Sequence, residues 1–171
     1  MSATAWKTLA LGLALVALLL AACQPAPGGE FAIYLLEQPL TAAQADAQGL
    51  QNVALQRQPL LNNADLLSYT QAEHAMILTE AAKERIRQLK VPVSGLPFVV
   101  CVGAERIYAG AFWTSISSLS YDGVIINVLP WEAPEPLKIE LGYPGQGFFA
   151  RKDPRADARI LEALRAAGKL K

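Results

Sequence analysis

His74 is the chain's single histidine, and Cys23 and Cys101 are its only cysteines. A zinc site draws on several His or Cys ligands at characteristic spacing, and one histidine with no cysteine pair beside it does not supply that set. Nucleophilic catalysis of the Ser–His–acid kind would have to join His74 to an activated hydroxyl. The stretch "TSISSLS" offers Thr114, Ser115, Ser117, Ser118 and Ser120 but lacks the Gly-x-Ser-x-Gly elbow. Its hydroxyls read as turn and backbone-bonding groups. Glu132 and Glu135 are close enough in sequence for an acid and base pair, yet they lie in the proline-interrupted "PWEAPEP", which reads as a solvated loop. "GYPGQG", residues 142–147, has the glycines of a phosphate cradle without its Lys-Ser/Thr ending, so it reads as a turn. Cys101 sits inside "FVVCV", the setting of a buried and inert thiol. The chain is therefore read as non-enzymatic, with no metal and no cofactor.

Cys23 is the exception, because of what precedes it. The run Leu9 to Ala22 is continuously small and aliphatic, but shorter than the roughly 20 residues a spanning helix needs. Lys7 stands before it and Ala21 and Ala22 close it, in the basic, apolar, small-residue order of an export signal. Leu20-Ala21-Ala22-Cys23 resembles the lipobox of bacterial lipoproteins. That resemblance implies cleavage between Ala22 and Cys23 and acylation of the Cys23 thiol. Several long acyl chains, palmitate among them, hold a domain at a bilayer far more firmly than one. The expected partner of the N-terminus is thus a membrane, reached through lipid rather than through a helix. Residues 1–22 are a cleaved signal, and residues 23–30, "CQPAPGGE", are an extended tether. Gln24 follows the cysteine where an Asp would resemble the inner-membrane retention signal. The localisation expected is the extracytoplasmic side of a membrane, the outer one in a Gram-negative host.

Lys7 is the leader's only charge, so the mature chain keeps all but one of 15 Lys and Arg against 15 Asp and Glu. Near neutrality argues against nucleic-acid binding. Residues 31–171 suit one domain. "FAIYLLE" reads as a strand, "QPLTAAQADAQGLQN" as a loop with at most a helical turn after Thr41, and "VALQR" and "DLLSY" as short strands. "AMIL" runs into Thr79, a helix N-cap. Ala82, Ile86 and Leu89 then recur at helical spacing, with Lys83, Glu84, Arg85 and Arg87 on a solvated face. "GLPFVVCVGAERIYAGAFW" reads as a hairpin with a buried first arm. "SYDGVIINVL" gives a turn at Asp122-Gly123 and another strand, and "LKIEL" a half-exposed one. Asp157 caps a last helix with Ile160, Leu164 and Ala167 on its apolar stripe and Gly168 at its end. The fold class is α+β: a mainly antiparallel sheet, one central amphipathic helix and a C-terminal helix.

"PLLNNADLLSY", "AMILTEAAKERI" and "GLPFVVCVGAERIYAGAFWTSISSLSYDGVII" together resemble the head part of the first periplasmic domain of SecD, a membrane subunit of bacterial protein export. The likeness covers residues 57–128. Where that family commonly has an acidic-Gly-Ala step opening the helix, Glu80 is followed here by Ala81 and Ala82. The resemblance implies an α+β head outside the cytoplasmic membrane and contact with polypeptides or envelope partners. It does not bring SecD's activity, which works through membrane helices.

Aromatic residues supply the remaining contact candidates. Phe112, Trp113, Tyr121 and Trp131 either form a surface patch of interface anchors or cap the core beneath long loops. The function expected is a lipid-anchored binding or scaffolding protein of the cell envelope. Its alternatives are a small-molecule-binding lipoprotein and, behind that, an envelope hydrolase, which needs titratable residues gathered in a cleft.

Overall fold

A computed structural model describes residues 29–129 and 134–171. The leader, the Ala22–Cys23 junction, most of the tether, Trp131 and Glu132 lie outside the described residues. Eight strands form one sheet: β1 Phe31–Leu35, β2 Leu61–Asn62, β3 Leu66–Thr70, β4 Ala75–Leu78, β5 Leu96–Val102, β6 Glu105–Trp113, β7 Tyr121–Asn127 and β8 Leu137–Tyr143. Three α-helices accompany it, α1 Ala42–Gln48, α2 Glu80–Arg87 and α3 Ala158–Ala166. The strand order is β2-β1-β5-β6-β7-β8-β4-β3, and every neighbouring pair is antiparallel except β6–β7. The mixed α+β class and the mostly antiparallel sheet are as the sequence predicts.

The order carries a geometric consequence. β2 and β3 occupy opposite edges of the sheet, yet only residues 63–65 separate them in the chain. The sheet must therefore curl until its edges approach one another. Asn62 and Asp65 cap that three-residue turn reciprocally, Asn62 Oδ1 accepting from the Ala64 N–H and Asp65 Oδ2 from the Asn62 N–H. Arg85 of α2 fastens the junction by pairing with Asp65 and donating to the Leu60 carbonyl.

Strand alternation divides the apolar residues between two faces. Phe98, Val100 and Val102 of β5 enter the main core with Phe31, Ile33, Phe112, Val124 and Ile126, closed by Ala82 and Ile86 of α2 and Ile160, Ala163 and Leu164 of α3. Val99 and Cys101 face the other way, against Leu36, Ala45 and Val53. A strand buried on both faces is why "LPFVVCV" is unbroken in its apolar character. Burial pushes the Cys101 thiol's pKa up, as befits an inert packing residue.

Four local expectations are corrected. The Ala- and Gln-rich stretch forms α1 rather than a loop, opened by a reciprocal cap in which Thr41 Oγ1 accepts from the Gln44 N–H at 3.2 Å and Gln44 Oε1 from the Thr41 N–H at 2.9 Å. Only Ala42 and Ala45 of this helix are buried, so no long apolar side chains announce its period. Thr41→Ala should cost about 1 kcal/mol, read as a lowered urea midpoint at unchanged slope. "VALQR" contributes one isolated bridge, Leu55 to Leu36, and no strand. Asp122-Gly123 lies inside β7, at a register irregularity rather than a turn. A Cβ on Gly123 would stand 2.3 Å from the Tyr121 ring, so glycine lets that ring fold along its own strand. Lys83, placed by spacing on the solvated face, is buried, with its ammonium donating to Glu80 at 2.9 Å and to Glu135 at 2.5 Å. Glu135 thus serves as an ion-pair partner across the fold. Thr79 caps α2 as predicted, its Oγ1 accepting from the Ala82 N–H.

Candidate functional site

β6 ends at Trp113 and β7 begins at Tyr121, parallel to it, with Trp113 level with Asn127. Parallel neighbours ordinarily need a crossover of a dozen or more residues, usually helical. Residues 114–120 are too few to build one, so the connection crosses the sheet as an irregular loop. It is nevertheless firmly held. Tyr143 of β8 donates its hydroxyl to the carbonyls of Ser115 and Ser117 at 3.1 and 3.3 Å. The buried Ser117 hydroxyl donates to the Val93 carbonyl at 2.6 Å and accepts from the Leu119 N–H at 3.1 Å. Ser117 thus bonds backbone, as the sequence predicts for this run.

The loop rests on an aromatic base. Trp113 stacks on Tyr121 with ring centres 5.2 Å apart and planes 8° from parallel, and leans on Tyr143 at 5.6 Å. Gly95 makes room for it, since a Cβ there would meet the indole at 2.5 Å. Phe112 points to the opposite face, packed on Phe98 at 5.2 Å. Phe112, Trp113 and Tyr121 are therefore interior, with Trp113 only 2% exposed, and these three do not form a surface patch. They are large apolar groups at the seam where both faces of the sheet are covered, and burial there removes most of their area from water. Trp131 lies outside the described residues.

The segments that adjoin this base expose three apolar side chains. Ile116 is 65% exposed, Val93 51% and Leu119 49%, and the Ser117 hydroxyl joins the backbone of the Val93 turn to that of Leu119. Exposed apolar side chains grouped on an ordered surface mark contact sites. Sequence reasoning misses these residues, because single aliphatics among serines and prolines carry no period. The one available signal was the aromatic group beneath them.

Polar groups without partners gather at the same end. Four buried side-chain atoms among the described residues lack a hydrogen bond, and three of them, Trp113 Nε1, Thr114 Oγ1 and Asn127 Oδ1, fall where β6 and β7 terminate. Buried polar groups are nearly always bonded, so this end of the sheet holds three side-chain atoms with bonding capacity unspent. A cleft of about 230 Å³ adjoins Thr114. Asn127 lines two open grooves of about 290 and 240 Å³ on the β7–β8 surface.

The flank is electrostatically organised. Tyr121 donates to Asp46 at 3.2 Å, and Arg151 binds Asp46 at 2.8 Å and Asp122 at 3.4 Å. Burial, with the Asp46 charge added, pushes the Tyr121 hydroxyl's pKa well above the ordinary phenol range. A backbone N–H from Ala150, aided by Arg151, holds the Asp122 carboxyl low.

His74 lies in the turn between β3 and β4, at φ 48°, next to Glu73, which lines the larger Asn127 groove. Its Nδ1 is 2.8 Å from the Tyr69 hydroxyl. Burial, then the nearby Arg155, lowers its pKa. Among the described residues no three His, Cys, Asp or Glu side chains converge as a metal site. No helix among them is long and apolar enough to cross a membrane. Comparisons with protein-family models, curated proteins and solved structures yield no significant match.

Proposed function

We propose that this chain is a lipid-anchored, extracytoplasmic binding domain of the cell envelope that engages a polypeptide partner through the β6–β7 crossover without catalysing a reaction on it. The observation that carries this reading is the exposure of three apolar residues, Val93, Ile116 and Leu119, on two segments that Ser117 ties together and Tyr143 of the aromatic base helps to hold. A rigid support matters because binding then costs little ordering entropy. The lipobox-like Leu20-Ala21-Ala22-Cys23 supplies the address, and the resemblance of residues 57–128 to the SecD head favours the same compartment.

Two measurements test it. Mass spectrometry of the mature N-terminus should find acylated Cys23, and an unmodified chain retaining Leu9 to Ala22 would refute the anchor. A photoreactive amino acid in place of Ile116 should give a discrete crosslinked adduct in cells. The same probe at Leu67, 59% exposed on β3, should not. Equal adducts from both positions, or none from 116, remove the contact surface.

A second reading, small-molecule binding, is favoured by the cleft at Thr114.

A further inference from the structure

We infer that the cleft between the exit of α2 and the ends of β6 and β7 binds a small aliphatic carboxylate. It is lined by Leu89, Lys90, Val91, Thr114, Val128 and Leu129 and has a volume of about 230 Å³. An apolar cavity of about 150 Å³ accommodates benzene, so a chain of about four to six carbons with a carboxyl head fits. This site stands independently of the partner surface and of the lipid anchor.

Three features select the ligand class. Thr114 is 2% exposed, and its Oγ1 is buried with no hydrogen-bond partner. The backbone that carries it is held, the Thr114 carbonyl accepting from the Ser117 N–H at 3.0 Å. A buried hydroxyl left unbonded is costly, so an acceptor or donor arriving there is rewarded. Next, Lys90 lines the same cleft and makes no ion pair among the described residues. An ammonium and a hydroxyl can both donate to one carboxylate, which is acceptor-only when ionised. Finally, the other four lining residues are aliphatic, and they favour an apolar tail over inorganic anions or water.

The other described cavities differ on this point. The grooves at Asn127 and the hollow beside Arg151 each include an acidic side chain, Glu73, Glu140 or Asp46, whereas the Thr114 cleft has none. An amine would meet Lys90 unfavourably. A neutral alcohol would satisfy Thr114 but leave the Lys90 charge uncompensated.

The test uses the full-length chain in lipid nanodiscs, with hexanoate as probe and 1-hexanol as its uncharged counterpart, followed through the methyl resonances of Val128 and Leu129. Hexanoate should shift these resonances saturably, and hexanol should bind at least tenfold more weakly. Thr114→Val and Lys90→Gln should each weaken hexanoate at least tenfold, while Thr114→Ser, which keeps the hydroxyl, should bind within about threefold of the parent. Equal affinity for hexanol and hexanoate overturns the proposal, as does parental affinity in both weakened variants. Absence of saturable shifts overturns it too and leaves the Thr114 hydroxyl to water. Crosslinking from position 116 is unaffected by any of these outcomes, so failure here is distinguishable from failure of the partner surface.

Discussion

Trp113→Ala is expected to destabilise the domain by about 3–5 kcal/mol, the range for truncating a large buried aromatic. The indole is almost wholly enclosed, and its contacts come from separate parts of the chain: Ala42 from α1, Gly95 before β5, Tyr121 from β7 and Tyr143 from β8. Removing it leaves a cavity whose walls belong to elements that cannot all close inward together. The measurement is the urea unfolding midpoint, which should fall sharply. Trp113→Phe should recover most of the loss, because the indole Nε1 makes no hydrogen bond to forfeit. The alanine variant should also lose crosslinking from position 116, since the loop's floor has gone. An unchanged midpoint with lost partner capture would instead place the indole in direct contact with the partner.

Alkaline titration should destabilise the protein progressively from about pH 10 upward. Tyr69 is fully buried in the core, and burial pushes its hydroxyl up to about 12. Between the unfolded value near 10 and the folded value, the native state holds a proton that the unfolded state releases. Stability is therefore complete below pH 10 and declines as pH rises toward 12. At 1.36 kcal/mol per unit, Tyr69 alone accounts for roughly 2–3 kcal/mol of that decline. Burial raises Tyr108 and Tyr121 as well, which steepens it. Chemical denaturation repeated from pH 8 to 11.5 should show the fall, with the ring resonances of Tyr69, Tyr108 and Tyr121 losing their phenol form only together with unfolding. Phenolate formation at these three rings near pH 10 in a still-native protein would show them to be accessible.

The hairpin β5–β6, the N-cap at Thr79 and the helix from Ala158 are legible because each combines a long apolar pattern with a terminal signal. α1 is not, since it packs through alanine, although its Thr41-x-x-Gln44 cap is written in the chain. Lys83 misleads because periodicity places a charge on a face without revealing that Glu135, 52 residues later, arrives to cover it. The aromatic residues indicate the right region of the molecule and the wrong layer: bulk and polarity mark Trp113 and Tyr121 as either anchor or core, and the short crossover settles which by lying over them. Val93, Ile116, Leu119 and the unpartnered Thr114 hydroxyl become visible only once distant strands are aligned.

The curl of the sheet also limits how another chain can join it. Many peptide-binding domains extend an open sheet edge with a new strand. Here one edge, β2, is two residues long, and residues 54–60 supply further hydrogen bonds along β1 beside it. At the other edge, β3, Tyr69 is taken on both backbone atoms, its N–H donating to the Lys169 carbonyl and its carbonyl accepting from the Lys171 N–H. Those flanking lysines add charge where self-association would begin. An incoming polypeptide meets little free backbone to pair with and must be read by its side chains.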